Sequence, residues 1–317
     1  MSSVSVAGHR LAFRLSPVGF RRVAWIAVGA LVLIVASGAT VRSTGSGLGC
    51  PSVTFDLSSC ERAYGSPGYH ADIEFFNRGA SGLVVVVALG LALAARRTAG
   101  LHRRAKLLAL GACLATFVQI PLGAITVHSG LNPYLVVAHF LVALFALALG
   151  VLVLLEAGRT VGGAGGPLPL LARLGGATLL AAVTVLVVSG TLSTAAGRFP
   201  GSSGTRVVRR LWDFHSAVYW HVRAVAVFGV VLFALAAWAW QRRERFAWLL
   251  RGCAGLLALL LAQMAIGELQ YRTYGTVPWG VVVVHVALAA SLFSWTVGLV
   301  GRLWRPVGSA SSGDLAR

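Results

Sequence analysis

Four histidines, His139, His215, His221 and His285, lie within apolar stretches of the chain. An ionisable side chain inside a bilayer is costly and is read as functional by default. Imidazole nitrogen is a ligand that suits iron held in a planar macrocycle such as haem. A second constellation is IEFFNR, residues 73–78, which sets a carboxylate (Glu74), an amide (Asn77) and a guanidinium (Arg78) at the mouth of another apolar stretch. Glu74 and Asn77 are three residues apart and therefore share a helical face. A carboxylate in a partly apolar pocket can exchange protons during chemistry. The whole chain has only nine Asp and Glu residues, so this placement calls for a reason.

The elements that must position these groups follow from composition. Of 317 residues 57% are hydrophobic and 11% charged, with mean hydropathy +0.81, whereas soluble domains are about 25% charged. Stretches of the roughly 20 apolar residues that cross a bilayer recur at about 20–41, 73–95, 105–126, 133–155, 168–191, 211–240, 247–270 and 279–301. We expect an all-α integral membrane protein of eight transmembrane helices. The first apolar stretch is a full-length span and is read as a retained helix, not a cleaved leader. Arginines cluster before the first span, between the second and third, between the sixth and seventh, and after the eighth. The positive-inside rule then places both termini in the cytoplasm, with the cell membrane as the site of residence. Helix orientation and anionic headgroups account for the net charge of +18, so the lipid bilayer is an expected partner and nucleic acid is not.

The Gly/Pro-rich stretch 161–176 divides the chain into an N-terminal half, 1–160, and a C-terminal half, 177–305, followed by a tail, 306–317. The halves resemble each other. SGATVRSTG (Ser37 to Gly45) matches SGTLSTAAG (Ser189 to Gly197), and QIPLGAITV (Gln119 to Val127) matches QMAIGELQY (Gln263 to Tyr271). In each half a Gln, and a Gly four residues on, precede a Pro and then a His. Four helices per half make the repeat parallel about an axis along the membrane normal, so equivalent sites lie at equal depth.

His139 follows Pro133 by six residues, roughly 9 Å along a helix, and His285 follows Pro278 by a similar stretch. His215 falls in the first turns of the sixth span, and the same register in the second span falls on Asn77. On this reading His215 and His285 clamp one haem iron, while the other half offers His139 with Asn77 at the partner position. His221 is six residues from His215, about 240° around a helix, and is assigned to packing. His9, His70, His102 and His128 lie in loops and are read as solvated or interfacial. Arg42, Arg78, Arg206, Arg209, Arg210 and Arg272 ring the outer face, where guanidinium anchors a helix at the interface or pairs with haem propionates. Asp213 and Glu268 sit near outer helix ends, and Asp213 is read as a partner of the helix macrodipole. A disulfide between Cys50 and Cys60 is favoured on the oxidising face, and Cys113 and Cys253 are read as packing residues. The glycines of TGSGLGC, residues 44–50, follow a transmembrane helix and do not make a nucleotide fingerprint.

ATVRSTGSGLGCP (Ala39 to Pro51), IEFFNR, the two Q-x-x-x-G segments and the late histidines together resemble haem A synthase. The resemblance covers nearly the whole chain and implies oxidation of a ring methyl of haem O to the formyl group of haem A. It implies a haem b cofactor held by His215 and His285 in the C-terminal half, and substrate haem O at His139 in the N-terminal half. It puts the family's glutamate at Glu74 and its helix-2 histidine where this chain has Asn77. The substrate would thus be held by His139 with an open or water-occupied position. On this reading Glu74 moves a proton or stabilises charge at the methyl carbon, and the C-terminal haem relays electrons. A haem O synthase and an electron-transfer protein are the implied partners, and a homo-oligomer is compatible with the sequence. Two other classes share some of these features. A diheme electron carrier of the quinone-oxidising type would need two bis-histidine sites, and a transporter would need no haem.

Overall fold

The computed structural model describes residues 14–49, 69–202 and 211–308. Among them eight helices are long and apolar enough to cross a membrane: α1 (Pro17–Ser43), α2 (Tyr69–Arg97), α3 (Arg103–His128), α4 (Pro133–Gly162), α5 (Leu170–Ala196), α6 (Phe214–Trp240), α7 (Arg243–Arg272) and α8 (Trp279–Trp304). The protein is an eight-span integral membrane protein of all-α class. No strand occurs among the described residues, only three isolated bridges. The connector between halves is shorter than its Gly and Pro content suggests. Residues 170–176 belong to α5, so only 163–169 link the two halves.

Helix starts follow local chemistry. Pro17 and Pro133 occupy first-turn positions where no N–H is needed. Ser16 accepts from the Gly19 amide at 3.1 Å, and Asn132 accepts from Tyr134 at 3.0 Å. Asp213 caps α6 by accepting from Ser216 at 2.8 Å, and that bond holds its carboxyl below the usual carboxylate range. Pro121 lies inside α3 without ending it, as membrane helices tolerate when neighbours satisfy the freed backbone groups.

In the N-terminal half α1 packs on α2 and α4, and α3 packs on α2 and α4; in the C-terminal half α5 packs on α6 and α8, and α7 packs on α6 and α8. The halves meet through α1 on α8, α4 on α5, and α4 on α8. Small residues permit close approach where these helices cross. A Cβ at Gly255 would lie 2.5 Å from the Trp295 ring, and one at Gly176 2.6 Å from Leu303. Large apolar side chains such as Leu33, Val86, Val230 and Phe233 face outward, as expected where the surroundings are lipid.

At the end of the bundle that carries the chain termini, Glu156 of α4 is 3% exposed. It accepts from Arg305 Nε at 3.0 Å and Nη2 at 3.2 Å, with Arg104 and Arg159 each 3.6 Å away. This cluster ties the start of α3, the end of α4 and the segment after α8 together. The carboxylate in turn raises the Arg305 guanidinium above its ordinary value. Glu156→Ala is expected to cost about 3 kcal/mol, as removal of one partner from a buried ion pair does. Removal of Glu268 from its exposed pair with Arg272 should cost no more than about 0.5 kcal/mol. Thermal unfolding of the two variants in detergent separates these outcomes.

Candidate functional site

The site end of the bundle is the end opposite the termini, and its construction repeats. In the N-terminal half Gln119 Nε2 donates to the backbone carbonyl of His139 at 3.1 Å. In the C-terminal half Gln263 Nε2 donates to that of His285 at 3.0 Å. Four residues after each glutamine is a glycine. A Cβ at Gly123 would lie 3.4 Å from His139 Cε1, and a Cβ at Gly267 would lie 3.4 Å from His285 Cε1. The Q-x-x-x-G motif therefore has a physical reading: the amide holds the histidine's backbone, and the glycine lies against its ring. Both histidines are the seventh residue of their helices, α4 and α8.

The second half of each site comes from α1 against α2, and from α5 against α6. Ser37 Oγ donates to Asn77 Oδ1 at 2.8 Å. Ser189 Oγ lies 3.1 Å from His221 Nδ1, and a Cβ at Gly190 would lie 2.9 Å from the His221 ring. Ser37–Gly38 and Ser189–Gly190 are the same positions of the repeat, so the counterpart of Asn77 is His221. This revises the register read from sequence, which paired His215 with Asn77 and gave His221 to packing. His215 is the second residue of α6 and exposed, its ring edge-on to Phe214 and Tyr271. His221, one and a half turns deeper, is the residue within electrostatic reach of His285. A sequence signal for this existed: two aromatics immediately precede Asn77 (Phe75, Phe76) and His221 (Tyr219, Trp220).

The hydrogen bonds of Ser189 assign the His221 tautomer. Ser189 gives its own proton to the Leu186 carbonyl at 2.9 Å, so its lone pair accepts Nδ1–H and leaves Nε2 as a free lone pair. A ring nitrogen held by its neighbour while the other ligates is the usual arrangement of a metal-bound histidine. Nδ1 of His139 and of His285 is buried without a hydrogen-bond partner among the described residues.

The two sites differ on α2 and α6. Glu74 is 3% exposed and accepts from Arg78 Nη2 at 2.6 Å, one turn on; the register puts Val218 and Val222 at the equivalent places. Of the remaining arginines assigned to propionates, Arg42 donates from Nε to the Phe199 carbonyl at 3.0 Å and from Nη2 to Thr194 at 2.8 Å, which joins the two halves. Arg272 pairs with Glu268 on an exposed turn. Arg206, Arg209 and Arg210, and the cysteines Cys50 and Cys60, lie outside the described residues. Cys113 and Cys253 are buried and free.

The family model for cytochrome oxidase assembly proteins (COX15-CtaA) matches residues 69–297. The chain belongs to this family. No curated protein matches it. A role in cytochrome oxidase assembly follows, and the matched range contains Glu74, Asn77, His139, His221 and His285.

The glycines beside the helix-2 and helix-6 residues predict opposite effects of one substitution. Gly190→Ala must displace the His221 ring and is expected to cost about 1–3 kcal/mol. A Cβ at Gly38 meets nothing within 4 Å, so Gly38→Ala should be neutral or stabilising by up to about 1 kcal/mol, as for Gly to Ala in a helix interior. Thermal unfolding midpoints in detergent report both.

Proposed function

We propose that the protein is a haem A synthase, which oxidises a ring methyl of haem O to a formyl group. One observation carries the reading: the same scaffold is used twice, but one copy offers two imidazoles with valines at 218 and 222, and the other offers a single imidazole and a buried carboxylate. The C-terminal copy suits a resident haem b, which His221 and His285 would hold, in place of the pair His215 and His285. Among the described residues no three His, Cys, Asp or Glu side chains converge. Two imidazoles therefore suit an iron whose other ligands come from a macrocycle. The haem b supplies one-electron transfer when bound. Valines at 218 and 222 give that site no group to exchange protons with a substrate.

In the N-terminal copy His139 orients the substrate haem O, held by Gln119 and seated on Gly123. Conversion of methyl to formyl with oxygen drawn from water removes four electrons and releases four protons, so an ionisable group near the reacting carbon has a task. Glu74 is the candidate: it is paired with the Arg78 guanidinium at 2.6 Å, and it shares a face of α2 with Asn77. The haem that His221 and His285 would hold could pass these electrons to an electron-transfer partner, and a haem O synthase would supply the substrate. The helix ends that carry the sites face the outside of the cell membrane, with both termini cytoplasmic. A diheme electron carrier would need a second imidazole pair, and Asn77 stands where it would be.

Co-expression with a haem O producer, followed by chromatography of the extracted haems, tests the reading. The wild type should yield haem A or hydroxylated haem O, and Glu74→Gln should lower that yield by about tenfold or more, within the contribution of general acid–base groups. His221→Ala should lose the resident haem b spectrum, whereas His215→Ala should keep it. Equal haem A yield from wild type and Glu74→Gln would remove the glutamate from the mechanism.

A further inference from the structure

The two serine contacts leave chemically opposite atoms free. In the C-terminal half Ser189 accepts from His221 Nδ1–H, and the free ring atom is Nε2, which carries a lone pair. In the N-terminal half the Ser37 hydroxyl occupies Asn77 Oδ1. The free atom is then the amide Nδ2, which carries hydrogens and no lone pair available to a metal. No described residue accepts a hydrogen bond from it. The space differs too. The His221 ring fills the volume beside Gly190, whereas beside Gly38 a Cβ would meet nothing within 4 Å.

We propose that the N-terminal site binds a small exogenous ligand, water or a diatomic gas, at the axial position opposite His139, and that Asn77 Nδ2 is the hydrogen-bond donor to it. This rests on the haem-binding reading above. Hydrogen-bond donors and steric access on the open side of a haem decide whether small ligands bind there. An amide aimed by a neighbouring hydroxyl provides the donor, and its short side chain provides the access. Ser37 is the positioning residue, since its proton fixes which end of the amide faces inward. Glu74, three residues earlier on the same face of α2, sets a carboxylate near the place where a bound water would exchange its proton. The duplicated bundle thus holds one closed site with two imidazoles and one open site.

The test is carbon monoxide binding by the purified full-length protein, loaded with haem and reduced. The wild type should bind carbon monoxide at the N-terminal haem, and Asn77→His should abolish that binding by supplying a second imidazole. Asn77→Val and Ser37→Ala should retain binding and raise the C–O stretching frequency, because the donor is lost in one and released from its orientation in the other. Wild-type protein that carries haem at both sites but binds no carbon monoxide would overturn the proposal. An unchanged stretch in both Asn77→Val and Ser37→Ala would do the same. A protein that takes up no haem would instead overturn the haem reading on which this one stands.

Discussion

An imidazole ring laid against a glycine of the neighbouring helix, its own backbone carbonyl held by a glutamine amide, is the contact on which both sites depend. In a bilayer no water is available to satisfy polar groups or fill misfits, so position must come from the helices themselves. The glycine of α3 faces the His139 ring, and that of α7 the His285 ring, at a spacing where an added Cβ would just reach van der Waals contact. The glutamine fixes the histidine along the helix axis. An interhelical hydrogen bond in a membrane contributes only about 0.6–2 kcal/mol. The bond therefore fixes geometry more than it holds the bundle together. Most of the cohesion comes from close packing at small residues.

The repeat gives this contact a second use. Arg42 and Thr194 are the same position of the two halves, and Arg42 bonds the Thr194 carbonyl directly. Gly47 donates to the Gly201 carbonyl at 2.7 Å, close by. These two contacts join the halves directly at the site end of the bundle. Arg42 acts there as a bridge between halves. Its Nε and Nη2 are committed to backbone carbonyls, which leaves it less suited to a propionate.

Much of this architecture is legible in the sequence, because span length and hydropathy alone specify eight apolar helices. The repeated Q-x-x-x-G segments also mark the two halves, although nothing in a one-dimensional pattern shows that the glycine faces an imidazole. The helix-6 register was the part that composition misled. In the sequence the apolar run begins at Leu211, and a histidine four residues later matches Asn77 in spacing. Asp213 instead caps the helix at Phe214, so His215 falls in the first turn and His221 at the depth of its counterparts. The partners of the arginines are hidden in the sequence for a related reason. Charge type and position are visible in sequence, but whether a guanidinium is committed to a carbonyl, as in Arg42, or to a carboxylate, as in Arg78, is decided by contacts up to 157 residues away.

Duplication explains why so few changes separate the two sites. A shared frame places each histidine at equal depth, so the function of a site is left to the residues on one adjoining helix. Val218, His221 and Val222 make a surface that can hold a charge-neutral imidazole and little else. Glu74, Asn77 and Arg78 introduce an ion pair and an amide into the same frame. A buried carboxylate would be strongly disfavoured alone, and Arg78 makes it tolerable at the cost of tying its position to one turn of α2. The half proposed to take the substrate is therefore the one with a buried ion pair at its site, and the half proposed to keep a haem has valines in those places.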